Sequence, residues 1–319
     1  MNILLAVDDS THSQNTIQFL RQVHFPLRST LRILMVVEPL PSSSKARGKH
    51  DDPASLAHDR ERKKAWDLVN RMAEACWKPN LRIIPLVDTG IPGATILDAI
   101  EKHDIDLTVL GTYGRTGCQR FLLGSVSEWV LTEAPSSVLI VRGESETQRI
   151  SRASGMKILV GMDGSDDAKA AVNIFRQLKF PPSSKIIVCS TVNEQPTLDT
   201  HLTAHTKKPD NDAVKPLAST VQRTPIHRAE KMLGVYVDLL EKMDLHVQKK
   251  LAYGHPAEQL LILAERKKCD VIVLGSRGTT GLRKFFLGSV SNRVACHATC
   301  SVLVVRKPST PKRSQRRES

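Results

Sequence analysis

Apolar runs alternate with turn signals along this chain, and the alternation indicates its elements before any chemistry is considered. Residues 3–7 form a continuous apolar run that ends in Asp8-Asp9-Ser10, the profile of a strand buried on both faces that emerges at a polar loop. Ser10 or Thr11 is placed to cap the helix that follows; Ile17, Phe19, Leu20 and Val23 give it an apolar stripe before Pro26 stops it. Residues 31–37 make a second apolar strand, closed by Glu38-Pro39. Strand, helix, strand in this order indicates a parallel crossover unit.

The stretch 41–53 is rich in Ser, Lys, Gly and Asp without periodicity and reads as a loop. A helix resumes at about Ala54 and runs toward Trp77, with Leu56, Trp66, Leu68, Val69 and Met72 as its expected buried positions. The run Arg60-Glu61-Arg62-Lys63-Lys64 along it reads as a solvated face. Residues 81–87 predict a third strand, Gly90-Ile91-Pro92-Gly93 turns the chain into a helix through Ile96, Leu97 and Ile100, and residues 105–110 predict a fourth strand that delivers Gly111. A helix over 125–132 ends at Ala134-Pro135, and residues 137–141 form a fifth strand.

The plan then begins again. Residues 157–160 repeat the first strand, and Asp163-Gly164-Ser165 repeats its acidic loop at an offset of 155 (163 − 8). Further strands are expected over 186–192, 246–251, 271–274 and 301–305, with the turn Gly254-His255-Pro256 between the second and third of these. By the fourth strand the offset has grown to 164 (275 − 111), so the second copy carries nine extra residues, and these fall within 193–228, a polar segment with four prolines. The chain therefore divides into a domain over 1–143, a linker over 144–155, a second domain over 156–306 and a basic tail over 307–319 expected to be disordered.

Composition agrees with two domains and narrows the chemistry. A chain of 319 residues that is 40% hydrophobic can bury a real core. Its formal charge of +13 permits polyanion binding without singling out nucleic acid. Aromatics are only 4% of the chain, so stacking platforms for single strands are scarce, and specific nucleic-acid recognition is not expected even from the basic tail. Six cysteines (Cys76, Cys118, Cys189, Cys269, Cys296, Cys300) show no framework-like spacing and read as reduced thiols in a cytoplasmic protein. Cys296, His297 and Cys300 resemble only a fragment of a metal site, and no metal centre is expected. The N-terminus lacks a basic leader and reads as a strand, and no apolar stretch approaches the roughly 20 residues of a membrane span, so no membrane association is expected.

Candidate chemistry lies in a stretch that occurs twice, LGTYGRTGCQRFLLGSVSEWV and LGSRGTTGLRKFFLGSVSNRV. Gly111, Gly114, Gly124 and Ser125 in the first copy match Gly275, Gly278, Gly288 and Ser289 in the second, all at the offset of 164. Glycines leave backbone N–H groups uncovered, and a Gly-Ser turn opening a helix presents further free N–H groups, those of Val126 and Val290 included, to an anion. Arg115, Arg120, Arg283 and Lys284 stand in or beside the loops, where solvated surface is the simpler role for each.

The spacing Gly-x2-Gly-x9-Gly-Ser after an apolar strand, with an Asp at the end of the first strand, resembles the ATP-binding class of the universal stress protein family, here as a tandem two-domain member. The resemblance covers nearly the whole chain except the tail. It implies two open five-stranded parallel sheets with helices on both faces, a Rossmann-like architecture of the adenine nucleotide alpha hydrolase-like kind. It also implies an intramolecular pseudo-dimer joined through the fifth strands, and ligands at the crevice where strand order reverses. Carried over residue by residue, it implies nucleotide contacts at Asp8, Val36, Gly111, Gly114, Gly124 and Ser125, and at Asp163, Thr191, Gly275, Gly278, Gly288 and Ser289. Asp8 and Asp163 would repel a phosphate, so they are expected to hydrogen-bond sugar or base, with a Mg2+ ion as a second role; helix capping is the competing role.

The resulting expectation is a cytoplasmic stress-response protein that binds ATP, up to one per domain, and acts through a protein partner or self-association. The alternative is an interaction module that keeps the loop geometry without the ligand. Hydrolysis needs a water-positioning base and a charge clamp that the sequence does not identify, so turnover is expected to be slow at most. The pairs Thr112-Tyr113 against Ser276-Arg277 and Val36 against Thr191 predict unequal sites.

Overall fold

The computed structural model describes residues 1–39, 53–112, 123–143, 155–192, 225–278 and 287–307. The first half runs β1 (Asn2–Val7), α1 (Thr11–Gln22), β2 (Ser29–Val37), α2 (Pro53–Ala75), β3 (Leu81–Thr89), α3 (Pro92–Lys102), β4 (Leu107–Gly111), α4 (Ser125–Glu133) and β5 (Ser137–Val141). The second half repeats it as β6 (Lys157–Gly161), α5 (Asp166–Asn173), a short 3-10 turn (Ile174–Arg176), β7 (Lys185–Val192), α6 (Pro225–Glu241), β8 (His246–Tyr253), α7 (Pro256–Lys267), β9 (Val271–Gly275), α8 (Ser289–His297) and β10 (Ser301–Val305).

The ten strands of the described residues form one sheet in the order β3-β2-β1-β4-β5-β10-β9-β6-β7-β8. Every neighbouring pair is parallel except β5 with β10, which are antiparallel. In each half the chain moves outward from its first strand and then crosses back to the other side of it, so strand order reverses between β1 and β4 and between β6 and β9.

Period-two alternation distributes each central strand between two cores. Ile3, Leu5 and Val7 face a core built with Ile17, Phe19 and Leu20 of α1 and Ala65 and Val69 of α2, whereas Leu4 faces the other core, with Ile96 and Ile100 of α3 and Val130 of α4. Both cores continue through β5 and β10 into the second half. The edge strands are half-exposed. Pro85 interrupts the donor row of β3, and Lys249 and Lys250 stand on β8, both devices that disfavour pairing with a further strand.

The junction is a pseudo-twofold. In the β5–β10 ladder Leu139 faces Leu303, and these two are repeat equivalents (303 − 139 = 164), so the axis passes between them. A second self-equivalent pair lies farther along: His24 and Lys179 (179 − 24 = 155) exchange backbone hydrogen bonds of 2.8 and 3.0 Å.

Two core expectations fail. Leu56 is 49% and Trp66 38% exposed, because Ala65, Val69 and Met72 of α2, with Cys76 just past its end, turn toward the sheet, a spacing of four, three and four residues that leaves Trp66 beside the stripe. The loop over 41–53, the linker and the excursion over 193–228 lie mostly outside the described residues, as does the tail beyond Lys307. Among the described residues no helix is long and apolar enough to cross a membrane.

Candidate functional site

Within the first half the parallel strands bring their C-terminal ends to one end of the sheet, so Asp8 after β1, Val36 near the end of β2, and Gly111 closing β4 lie there with one another and with the start of α4. Because β5 and β10 are antiparallel, Asp163, Thr191, Gly275 and the start of α8 lie together at the opposite end of the ten-stranded sheet. The reversal of strand order opens a crevice between β1 and β4, and another between β6 and β9, at the positions where open parallel sheets bind ligands.

Each crevice is floored by a fixed turn. The Gly124 N–H donates to Thr112 O at 2.8 Å, and the Gly288 N–H donates to Ser276 O at 2.7 Å. One helical turn on, Ser127 Oγ donates to Gly111 O at 2.8 Å and Ser291 Oγ to Gly275 O at 2.6 Å. Gly124 and Gly288 are the N-caps of α4 and α8, with nearly identical backbone angles (φ −66, ψ 149 and φ −64, ψ 146), and neither helix has a side-chain cap. The N–H groups of Ser125 and Val126, and of Ser289 and Val290, consequently have no partner among the described residues. Ser125 and Ser289 are exposed. Free N–H groups at the positive end of a nine-residue helix form an anion-binding arrangement.

The acidic loops differ in detail. Asp8 is half-buried, and its Oδ1 accepts from the Ser10 N–H at 3.1 Å, from Ser10 Oγ, and from Ser13 Oγ at 2.8 Å, while its own N–H donates to Ser13 Oγ at 2.9 Å. Asp163 is exposed and its Oδ1 accepts from the Ser165 N–H at 2.9 Å. Neither carboxylate caps its helix: Ser165 caps α5, taking the Ala168 N–H at 3.1 Å, and Ser10, at the N-cap of α1, directs its hydroxyl to Asp8. Asp163 meets the glycine loop directly. A Cβ at Gly278 would stand 2.8 Å from Asp163 Oδ2, so the absence of a side chain there is what lets the two loops touch.

The second crevice carries a polar latch that the sequence did not reveal. Asp167, 5% exposed in the first turn of α5, accepts from the fully buried Ser276 Oγ at 2.6 Å and from Arg277 Nε at 3.0 Å, both through Oδ2. Ser165 Oγ donates to Arg277 O at 3.1 Å, tying the same loop to the helix start a second time. The first half places His12 where Asp167 stands (167 − 12 = 155). Sequence reading passed over Asp167 because a carboxylate in the first turn of a helix is ordinary; Ser127 and Ser291, however, lie inside the repeated Gly-Ser-Val-Ser and were detectable there.

Gly114 lies outside the described residues, as do Arg115, Cys118, Arg120, Arg283 and Lys284. Val36 and Thr191 are both half-buried near the ends of β2 and β7, so a polar hydroxyl in one half replaces an apolar side chain in the other. No group of three or more His, Cys, Asp or Glu side chains able to hold a metal occurs among the described residues. A surface cleft of about 520 Å³ at the N-terminal ends of β2 and β3, lined by Arg28, Trp77, Asn80 and Arg82 among others, shares no residue with either crevice.

The chain is similar to known proteins in sequence and in fold. The model of the universal stress protein family matches residues 1–142 and 156–306. A universal stress protein of Methanocaldococcus jannaschii is 31% identical over 156 residues, covering 48% of this chain and 82% of that protein. The Bacillus subtilis universal stress protein YxiE is 29% identical over 150 residues, covering 47% of this chain and 98% of that protein. Among solved structures, a universal stress protein from Archaeoglobus fulgidus superposes with a TM-score of 0.59 at 19% identity, covering 96% of both chains, a likeness of fold over the full tandem length.

Proposed function

The chain belongs to the universal stress protein family, with two tandem domains, and from that premise we propose that each crevice holds one adenine nucleotide, ATP in the first instance. The observation that carries this reading is the pair of open helix starts. Gly124 and Gly288 are fixed by the carbonyls of Thr112 and Ser276, and the next N–H groups point at a crevice bordered by glycine and an acidic loop. Phosphates meet the N–H groups of Ser125 and Val126, or Ser289 and Val290. Ribose or base meets the acidic loop, where Asp8 Oδ2 and the exposed Asp163 offer acceptors and a Mg2+ ion would find its carboxylate. Val36 and Thr191 border the base. Binding, rather than turnover, is the activity, and a protein partner reads the occupancy.

Isothermal titration of the full chain with ATP in magnesium buffer tests the reading. Saturable binding of up to two equivalents is expected, and no heat of binding at either site overturns it. A second reading, an interaction module without physiological ligand, is favoured by Asp8, whose Oδ1 is already occupied by Ser10 and Ser13. Gly124→Leu and Gly288→Leu separate the two readings: lost nucleotide binding with an intact fold supports the first, whereas partner capture unchanged in both variants supports the second.

A further inference from the structure

Each cradle helix is held at its far end by an arginine from the other domain. Arg142, immediately after β5, donates from Nη2 to Ala295 O at 2.7 Å and Cys296 O at 3.2 Å in the last turn of α8. Arg306, immediately after β10, donates from Nη2 to Leu131 O and Thr132 O, both at 2.9 Å, in the last turn of α4. The two arginines are repeat equivalents (306 − 142 = 164), and so are the carbonyls they take (295 − 131 = 164 and 296 − 132 = 164). Their backbones are fixed in the same crossed manner: the Arg142 N–H donates to Ser301 Oγ and the Arg306 N–H to Ser137 Oγ, each at 3.2 Å.

The last carbonyls of a helix have no intrahelical partner and carry the negative end of its dipole, so a guanidinium there both completes the hydrogen bonding and matches the charge. α4 has no basic residue of its own in its last turn, and Arg306 supplies one from the opposite half. Arg142 is only 8% exposed, so its hold on α8 is shielded from water. A helix of nine residues is about 13 Å long and marginal by itself, so its orientation is set by what grips its two ends. One end of α4 and of α8 is the open anion cradle. The other is the crossed arginine.

We infer that Arg142 and Arg306 are positioning residues for the nucleotide sites, each aligning the cradle helix of the opposite domain, so that neither site is complete within its own half. The inference rests on the nucleotide reading of the crevices. Arg306 has an additional connection. Burial depresses its pKa first, and the charge of Arg277 second, while Asp167 acts in the other direction, so the latch beneath the second crevice lies within electrostatic reach of the cap on the first site's helix. In the first half His12 stands in place of Asp167.

Arg306→Met and Arg142→Met test the inference, with Arg306→Lys and Arg142→Lys as conservative partners that also serve if a methionine variant fails to fold. Hydrogen exchange is measured on nucleotide-free full-length chains, and ATP titrations are run alongside. Arg306→Met is expected to speed exchange in α4 but not α8 and to weaken one of two binding sites about tenfold. Arg142→Met should speed exchange in α8 but not α4 and weaken the other site, and each lysine variant should recover part of the loss. Faster exchange confined to the substituted residue's own domain, or affinities unchanged at both sites, overturns the inference. A parent chain that binds no ATP overturns the nucleotide reading instead, and the exchange pattern then still decides whether the arginines grip across the junction.

Discussion

Asp167 holds Arg277 beneath the second crevice, with Oδ2 accepting from Nε at 3.0 Å and Oδ1 facing Nη2 at 3.4 Å. The Asp167 side chain is 6% exposed and the Arg277 side chain 31%, so the pair is shielded on one side and wet on the other. The fully buried Ser276 hydroxyl adds a third bond at 2.6 Å. Three bonds from two adjacent loop residues to one helix side chain fix the start of the second glycine loop before any ligand arrives. That pre-organisation is one physical basis for unequal sites.

Removing the carboxylate charge tests the latch. Breaking a buried pair costs about 3–5 kcal/mol when one partner is left uncompensated, and the exposure of Arg277 reduces that to about 2 kcal/mol for Asp167→Asn. Denaturant unfolding of the full chain should show the lower midpoint. An unchanged midpoint would mean that the pair contributes nothing to the fold.

Glycine is required at the two strand ends to different degrees. A Cβ at Gly275 would stand 2.5 Å from Asp167 C and 2.6 Å from Ala168 N, both backbone atoms that cannot step aside. At Gly111 the nearest atom is His12 Cβ at 3.2 Å, a contact that small shifts relieve. Gly275→Ala is therefore expected to cost about 1–3 kcal/mol, the range for overpacking, and Gly111→Ala under about 1 kcal/mol. Thermal unfolding of the two variants compares them directly, and equal losses would contradict the tighter packing of the second half.

Much of this was legible in the sequence because it is local. Apolar runs and Gly-Pro turns located every strand, and the constant offset of 164 matched the Gly124 cradle to the Gly288 cradle residue by residue. The β5–β10 junction also followed, once the resemblance supplied the pairing of fifth strands. What escaped was non-local or angular. Arg306 reaches Leu131 across 175 positions and Asp167 meets Arg277 across 110, and no periodicity reports such pairs. Trp66 was misplaced by a single step around the α2 surface, a difference of about 100° that composition does not resolve.

Burial governs the thiols. It raises the pKa of Cys76 and Cys269 to about 11 and of Cys189 and Cys300 to about 12, while Cys296, half-buried, is raised less. A thiol held neutral in the fold but free to ionise near pH 9 when unfolded stabilises the fold fully below pH 9. As pH climbs from about 9 toward 12 the unfolded chain binds fewer protons than the fold, and stability falls. Among the described cysteines, Cys296 should react first with an aromatic disulfide at pH 8 and the other four only on unfolding. Rapid labelling of Cys189 or Cys300 in the native chain would contradict their burial.

The Leu139–Leu303 pair on the pseudo-twofold axis offers the most direct test that the two sheets are one. Leu139 is 3% and Leu303 1% exposed, and both face the same core. Each Leu→Ala change should cost about 2–5 kcal/mol through lost burial and the cavity left behind. Because the two side chains belong to different domains yet face one another in the ladder, their losses should not add. A coupling of about 0.5–3 kcal/mol in the double-mutant cycle is the mark of direct contact, whereas independent sites add to within about 0.5 kcal/mol. Additive losses, measured by denaturant unfolding of the two single variants and the double variant, would mean that the two leucine side chains do not pack against one another across the β5–β10 ladder.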